Sequence, residues 1–306
     1  VRMHEVTRDR GLEVLHCHYA IPHATSGWIA REMLRKEGGD VSLITTLHGT
    51  DITLVGQDPS FHAITKFSIE KSDHITAVSE FLKDETFNAF GCDGCGVQVI
   101  HNFIDPELYD RSRYPDVLKK QFNGNRPIVM HVSNFRPVKR IRDVVGIFAR
   151  LNEKVPSVLV MVGDGPDRDA AEQEARRYGV EESVSFLGKI DNIAPLLAGA
   201  DLFLLPSQSE SFGLAALEAL ASGVPVVGTR AGGLPEVVRD GETGALCEVG
   251  DVQGMARAAI EILGDRKRWE KMSALAAADA RQRFSQDAIV AKYEALYTKA
   301  ITTLKK

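Results

Sequence analysis

Short apolar runs rich in β-branched residues alternate along the chain with amphipathic stretches of helical period. Apolar runs of this length indicate strands buried on both faces, and their alternation with helices indicates parallel sheets. The first predicted strands are EVLHCHY (13–19), VSLITTLHG (41–49), HITAV (74–78) and VQVIHN (97–102), with helical stretches at 23–37 and 61–72. The opening VRMHEV also predicts a strand.

A second series of strands follows a polar, proline-containing stretch that is typical of a linker. Its predicted strands are PIVMHV (127–132), SVLVMVG (157–163), VSFLG (184–188), DLFLLP (201–206) and VPVVGT (224–229). Its predicted helices cover 140–154, 167–179, 192–199, 213–222, 253–262, 266–283 and 286–304.

The two series predict an α/β protein of two Rossmann-like domains whose parallel sheets face a cleft. We expect a first domain over 1–105, a linker over 106–126 and a second domain over 127–285. The last helix, 286–306, is predicted to pack back on the first domain. Ligands of such sheets bind beyond the carboxyl ends of the strands.

Composition narrows the class of protein. The 306 residues are 44% hydrophobic and 26% charged with a net charge of −5, which is ordinary for a globular chain and argues against a nucleic-acid-binding protein. The sequence predicts no transmembrane segment and no signal peptide, so we expect a cytoplasmic protein. Cys92 and Cys95 form a CxxC between glycines, without the second pair that a zinc site needs. We expect them to be incidental thiols in a reducing compartment.

Basic residues follow the first strand of the second series. In VSNFRPVKR (132–140), Arg136, Lys139 and Arg140 lie between a strand and the start of a helix. Helix N-termini attract anions, and cations added there favour a diphosphate site. The alternative is a solvated basic turn, which we rank lower because the loop follows the carboxyl end of a strand.

A glycine turn follows the next strand, in VGDGPDRDAAE (162–172). Gly163 and Gly165 allow a tight turn, but Arg168 stands where a dinucleotide fingerprint has its third glycine. This argues against an NAD-dependent dehydrogenase. The DRD of 167–169 matches a short metal-binding pattern, although acidic residues are also favoured in the first turn of a helix.

The stretch PSQSESFGLAALEALASGVPVV (206–227) places Glu218 inside an apolar helix with no lysine or arginine within four residues. A buried carboxylate needs a partner, so we expect a ligand to supply it. Glu210 and Glu218 then flank an anion held by the backbone of Phe212, Gly213 and Leu214, and accept hydrogen bonds from sugar and ribose hydroxyls. The alternative is a capping Glu210 and an exposed Glu218.

Histidines follow the early strands. His48, in TTLHGTD (45–51), follows a strand, so we expect it to point into the cleft. His16 and His18 alternate on one strand and share a face, as a zinc pair would, but no third ligand is identifiable. We therefore expect no metal site.

The seven-residue spacing between Glu210 and Glu218, with GDGP (163–166) and PVVGTRAGGLPEVV (225–238), resembles retaining glycosyltransferases of the GT4 family, which have the GT-B fold. HCHYAIPHA (16–24), TTLHGTDITLVG (45–56), ITAVSEFLKDETF (75–87), VIHNFID (99–105) and HVSNFRPVKR (131–140) resemble the GT4 members of bacillithiol biosynthesis. The resemblance implies transfer of N-acetylglucosamine (GlcNAc) from UDP-GlcNAc to L-malate, without a cofactor or metal.

The resemblance also implies roles for single residues. It makes 1–105 the acceptor domain and 127–285 the donor domain. In the donor domain, Lys139 matches the diphosphate-binding lysine, Asn134 stands where the family has an arginine, and Arg136 takes over that role. The other implied donor residues are Gly163, Glu210 for the sugar, Phe212, Gly213 and Leu214 for sugar and phosphate, and Glu218 for the ribose.

In the acceptor domain, His48 matches a histidine near the donor sugar. Tyr19, Thr50 and Lys66 fall at expected acceptor contacts, with Lys66 where the family has an arginine. Relatives continue for many more residues before HYAIPHA, so we expect a truncated first domain and self-association through its exposed strand edge.

The resemblance implies attack by the acceptor on the face from which UDP leaves, with no protein nucleophile. The leaving phosphate takes the acceptor proton. Two alternatives stay open: a GT4 transferase with another acceptor, and a nucleotide-sugar-binding module with little turnover.

Overall fold

The chain forms two compact units. The computed structural model describes residues 1–91, 96–114, 117–122 and 126–305, so the predicted CxxC of Cys92 and Cys95 lies outside the described residues. Unit 1 comprises Val1–Asn102 and Asp287–Lys306, and unit 2 comprises Phe103–Gln286. The stretch predicted as a linker, 106–126, is thus part of unit 2. None of the helices formed by the described residues combines the length and the hydropathy that a bilayer-spanning segment needs.

Unit 1 is built on a four-stranded parallel sheet in the order β1-β2-β3-β4. Every residue of β2 is buried, including the polar Ser42, Thr45 and Thr46, as expected of a central strand covered on both faces. The strands are β1 (Val14–His18), β2 (Ser42–Leu47), β3 (His74–Ala77) and β4 (Val97–Val99). The helices are α1 (Arg2–Arg10), α2 (Thr25–Lys36), α3 (Thr50–Thr53), α4 (Pro59–Glu70), α5 (Glu80–Phe90) and, at the end of the chain, α14 (Gln286–Leu304).

The prediction of a strand at VRMHEV is wrong, because this segment belongs to α1. The buried residues of α1, His4 and Thr7, are three positions apart, which is helical spacing. The helix ends at Gly11, whose φ of 58° provides a left-handed C-terminal cap. The three apolar residues of this segment, Val1, Met3 and Val6, are too few to distinguish a strand from a helix.

The last helix packs on the sheet of unit 1. Ile289, Leu296 and Ala300 of α14 share a buried apolar cluster with Ile44 of β2 and with Ile100. This contact explains why the final 20 residues belong to the same unit as the first hundred.

Unit 2 contains a six-stranded parallel sheet in the order β10-β9-β8-β5-β6-β7. Its strands are β5 (Ile128–Val132), β6 (Val158–Val162), β7 (Val184–Gly188), β8 (Leu202–Leu205), β9 (Val226–Thr229) and β10 (Gly244–Cys247). Its helices are α6 (Val117–Gln121), α7 (Ile141–Asn152), α8 (Arg168–Tyr178), α9 (Ala194–Gly199), α10 (Leu214–Ala221), α11 (Leu234–Val237), α12 (Val252–Gly264) and α13 (Arg266–Phe284). β10 was not predicted.

The strand order reverses at β5, which lies between β6 and β8. In open α/β sheets, ligands bind outside the carboxyl ends of the strands where the order reverses. The loops after β5 and β8 begin at this point, so the topology brings the predicted donor residues of both loops to one edge of the sheet.

Candidate functional site

A buried histidine anchors the loop after β5. His131 Nδ1 lies 2.8 Å from the Leu204 carbonyl oxygen, and His131 Nε2 lies 2.8 Å from Ser133 Oγ. Because a carbonyl only accepts, Nδ1 carries the proton and Nε2 accepts from the Ser133 hydroxyl. Ser133 Oγ in turn accepts the Phe135 N–H at 3.2 Å. Burial lowers the pKa of His131 to about 4, so the neutral imidazole ties the loop to the sheet.

Gly163 brings the loop after β6 against the loop after β5. Its φ is 123°, and a Cβ there would lie 1.8 Å from the Ser133 carbonyl oxygen. The Asp167 N–H donates to the Phe135 carbonyl oxygen at 3.0 Å. Only glycine allows this approach of the two backbones. The position predicted to bind the donor is therefore also required for packing of the two loops.

The DRD motif lies at the start of α8. Asp167 is the N-terminal flanking residue, Asp169 is in the first turn, and Arg168 Nε donates to Glu172 at 3.1 Å. Acidic residues are favoured there by the helix dipole. In the part of the chain that the structure describes, no group of three His, Cys, Asp or Glu side chains is arranged to hold a metal ion.

Lys139 and Glu210 form an ion pair between the loops after β5 and β8. Lys139 Nζ lies 2.7 Å from Glu210 Oε1, and the Ser207 hydroxyl donates to the same oxygen at 2.7 Å. The side chains are only 20% and 10% exposed, respectively. The chain thus places a partly buried ammonium group at the reversal point of the sheet, held by a carboxylate that also accepts from a hydroxyl.

A glycine pair holds the backbone of Glu210. The Gly233 N–H donates to the Glu210 carbonyl oxygen at 2.7 Å. Gly232 has a φ of 62°, and a Cβ there would lie 2.0 Å from that oxygen. The Gln208 N–H donates to the Val138 carbonyl oxygen at 2.8 Å, which joins the two loops directly. Sequence reasoning missed Ser207 and Gly232, although the GG of TRAGGLPE was visible as a turn signal.

The N-terminus of α10 follows this loop. Gly213 caps the helix with a φ of 98°, and a Cβ there would lie 2.8 Å from a methyl carbon of Leu234. Phe212 is buried, whereas the Leu214 side chain is 44% exposed. The first N–H groups of a helix lack partners within it, so this end can hold an anion.

Glu218 has a partner within the chain, which corrects the expectation that only a ligand supplies one. The Tyr109 hydroxyl, 109 positions away, donates to Glu218 Oε1 at 2.7 Å. Burial raises the pKa of Glu218, and the hydrogen bond from Tyr109 opposes that rise. Burial and the neighbouring carboxylate raise the pKa of Tyr109 as well, so the hydroxyl stays protonated and donates.

The other predicted donor residues in the loop after β5 differ in their surroundings. Asn134 and Arg136 are exposed. Within the described residues, the Arg136 guanidinium has no ion-pair partner, whereas Arg140 pairs with Asp143 at 2.6 Å. Arg140 is therefore engaged in holding the start of α7, whereas Arg136 has no acidic partner in the described part of the chain.

In unit 1, three histidines lie together: His16 and His18 of β1 and His48, which follows β2. His18 Nδ1 lies 2.8 Å from His48 Nε2, and the rings of His16 and His18 stack with centroids 4.6 Å apart. Burial is the main cause that lowers the pKa values of His16 and His48 to about 4. Both rings are therefore neutral at pH 7 and act as hydrogen-bonding groups rather than as cations.

A buried carboxylate that sequence reasoning missed joins the loops after β1 and β2. Asp51 accepts the N–H groups of Ala20 at 2.9 Å and Gly49 at 3.0 Å. Tyr19, with a φ of 75°, places its ring centroid 4.9 Å from that of His48. The signal was the aspartate in the HGTD turn, because such a residue often accepts from nearby backbone N–H groups.

The other two predicted acceptor residues, Thr50 and Lys66, lie on two different helices of unit 1. Thr50 is exposed at the first position of α3. Lys66 lies on α4, its ammonium group 3.9 Å from Glu70. The structure thus brings Tyr19 and His48 together, places Thr50 two positions after His48, and puts Lys66 on a separate helix.

Comparison with known proteins matches both units. The family model for glycosyl transferases group 1 matches residues 115–279, and that for glycosyltransferase family 4 matches residues 1–108. The chain is 45% identical, over 97% of its length and 77% of the relative's, to N-acetyl-alpha-D-glucosaminyl L-malate synthase of Bacillus anthracis. It is 29% identical, over 94% of its length and 69% of the relative's, to D-inositol 3-phosphate glycosyltransferase of Mycolicibacterium smegmatis.

Solved structures of glycosyltransferases match the fold of this chain over nearly its whole length. The structure of Anabaena HepE in complex with UDP matches with a TM-score of 0.81 and 25% identity, over 97% of this chain and 81% of that one. A sucrose-phosphate synthase of Thermosynechococcus elongatus matches in fold with a TM-score of 0.81 and 23% identity, over 98% and 77% of the two chains. With its two parallel sheets, the chain has the GT-B fold, and it belongs to the GT4 family of glycosyltransferases.

Proposed function

We propose that this glycosyltransferase moves GlcNAc from UDP-GlcNAc to L-malate with retention of anomeric configuration. The observation that carries the proposal is the 45% identity, over 97% of the chain, to the Bacillus anthracis enzyme whose name states this product. The geometry of unit 2 supports the donor half of the reaction, and the polar group of unit 1 supports the acceptor half.

The donor diphosphate is assigned to three features of the loops after β5 and β8 in unit 2. Lys139 is held at the carboxyl end of the sheet by Glu210, Arg136 has no ion-pair partner among the described residues, and α10 directs its N-terminus toward the loop that carries Glu210. When UDP leaves, negative charge develops on its β-phosphate. Fixed cations and backbone N–H groups stabilise that charge without a metal, and the phosphate takes the acceptor proton.

The two glutamates recognise the rest of the donor. Glu210 orients Lys139 and accepts from a hydroxyl of the sugar, while Glu218 accepts from the ribose. The backbone of Phe212, Gly213 and Leu214 holds sugar and phosphate. Asn134 and Gly163 complete the lining of the donor site.

Polar groups of unit 1 bind the acceptor. Another of its polar groups, His48, binds a hydroxyl of the donor sugar. L-malate carries two carboxylates and one hydroxyl, which suit the Lys66 ammonium group and the hydroxyls of Tyr19 and Thr50. His48 is neutral at pH 7 because its pKa is lowered to about 4, mainly by burial. It therefore hydrogen-bonds a substrate hydroxyl without adding charge.

The test is release of UDP from UDP-GlcNAc by the purified chain, with L-malate, D-malate, succinate or D-inositol 3-phosphate as acceptor. Release that depends on L-malate, with an α-linked product by NMR, is the expected result. Release with inositol phosphate instead would identify a GT4 transferase with another acceptor. Binding of UDP-GlcNAc by calorimetry, without turnover on any acceptor, would identify a nucleotide-sugar-binding module.

A further inference from the structure

The Tyr109 hydroxyl reaches Glu218 from the segment that opens unit 2. Ile104 of this segment forms a parallel bridge with Ser285. The Tyr109 N–H donates to the Asp105 carbonyl oxygen at 3.3 Å, which closes a turn. Tyr109 is only 9% exposed, and its hydroxyl lies 2.7 Å from Glu218 Oε1. Tyr109 is therefore part of the packed structure of unit 2 and does not lie in an exposed linker.

Further contacts hold the turn that carries Tyr109. Asp110 lies 3.4 Å from the Arg281 guanidinium of α13. The Tyr114 hydroxyl donates to the Leu108 carbonyl oxygen at 2.7 Å. The Tyr109 hydroxyl is therefore positioned before any ligand binds, and its place does not depend on the Glu218 contact alone.

Glu218 needs such support. It lies among apolar residues of α10, and in the described part of the chain it forms no ion pair. A partly buried carboxylate without a cation is costly unless hydroxyl or N–H groups donate to it. Tyr109 supplies one of these hydrogen bonds, and a carboxylate has about four acceptor positions, so capacity remains for a ligand.

We propose that Tyr109 is a positioning residue that fixes the Glu218 carboxylate for a ribose diol, so that the site selects ribonucleotides over deoxyribonucleotides. The inference rests on the proposed function, in which Glu218 accepts from the ribose of UDP. Tyr109 keeps one carboxylate oxygen in place, and the two ribose hydroxyls donate to the remaining positions. A carboxylate held beforehand loses less conformational freedom on binding, which favours the ligand that uses both hydroxyls.

The experiment measures the Kd values of UDP and 2′-deoxy-UDP by calorimetry for the unaltered chain, Tyr109→Phe and the control Tyr178→Phe. Tyr178 ends α8 in the same unit, and its ring packs against the guanidinium groups of Arg150 and Arg177. For the unaltered chain we expect UDP to bind about tenfold more tightly than 2′-deoxy-UDP. Tyr109→Phe should weaken UDP binding about tenfold and change 2′-deoxy-UDP binding much less, whereas Tyr178→Phe should keep the original ratio.

A double variant tests the proposal even if Tyr109→Phe also affects folding. In a Glu218→Ala background, the added Tyr109→Phe change should have no further effect on either Kd, because the two residues act as one unit. An unchanged ratio in Tyr109→Phe, or tighter UDP binding, would overturn the role of Tyr109 while leaving that of Glu218 intact. Equal binding of both nucleotides by the unaltered chain would overturn the ribose assignment of Glu218 itself.

Discussion

Lys139 and Glu210, 71 positions apart in the sequence, meet at 2.7 Å where the loops after β5 and β8 leave the sheet. The pair keeps a partly buried ammonium group in a fixed place without a ligand. A group held in this way can stabilise the charge of a leaving diphosphate with little reorganisation.

Lys139→Ala should lower kcat/KM for UDP-GlcNAc by about 10²–10³, the usual effect of removing one fixed group that stabilises a developing negative charge. Lys154→Ala is the matched control, because Lys154 is exposed in the same unit beyond the end of α7. Steady-state kinetics on both variants gives the comparison. A loss of similar size in both would contradict the role of Lys139.

Glu218→Gln should make the folded chain more stable at pH 7 while weakening UDP binding about tenfold or more. Burial raises the pKa of Glu218, so the folded state binds this proton more tightly than the unfolded state does. The stability that the residue contributes is present below its ordinary pKa and is lost as the pH rises through the raised pKa. Urea unfolding at pH 7 and calorimetry with UDP measure the two effects. A lower free energy of unfolding for Glu218→Gln at pH 7 would contradict the expected gain in stability.

His131→Gln should make the free energy of unfolding less dependent on pH between pH 6.5 and pH 4. The pKa of His131 is lowered from 6.5 to about 4, mainly by burial, so the unfolded state takes up a proton in this range before the folded state does. The unaltered chain should lose about 3 kcal/mol from this residue as the pH falls through that window. His16 and His48 have the same sign and remain in the variant. Urea unfolding at pH 7 and pH 4.5 should give a smaller difference for His131→Gln, and an equal difference would refute the assignment.

Gly163→Ala should lower the free energy of unfolding by about 3 kcal/mol or more, from a strained φ and a clash with the Ser133 carbonyl. Gly264→Ala is the control, because a Cβ there meets nothing within 4 Å. Chemical denaturation of both variants decides the point. If Gly163→Ala unfolds at the same denaturant concentration as the unaltered chain, the two loops do not pack as described.

Turnover should persist in excess EDTA, because the proposed chemistry places Lys139, Arg136 and the α10 N-terminus where other transferases use a metal. The measurement is UDP release with and without the chelator. Loss of activity that Mg²⁺ or Mn²⁺ restores would instead assign a metal-binding role to the DRD of 167–169.

Much of the fold was accessible from the sequence because strands buried on both faces have apolar runs rich in β-branched residues, of which β6, VLVMV, is an example. β10 was missed because GALC contains no β-branched residue and follows a turn. α1 was mistaken for a strand because its buried face consists of His4 and Thr7 rather than of apolar residues.

Some features of the candidate site could likewise be predicted from the sequence, and others could not. Lys139, Glu210 and His48 follow strands, so their location at strand ends could be inferred from topology alone. The hydrogen bonds of Tyr109 to Glu218 and of His131 to Ser133 could not, because they depend on side-chain directions that no sequence spacing reports. The unpaired appearance of Glu218 in the sequence did signal that a partner was required.

The most direct test of the account is a crystal structure of the chain with UDP. We expect the diphosphate beside Lys139 and the N-terminus of α10, with the ribose hydroxyls within hydrogen-bonding distance of Glu218 while Tyr109 keeps its contact with Oε1. A UDP molecule bound elsewhere, or one whose ribose does not reach Glu218, would contradict the proposed donor site.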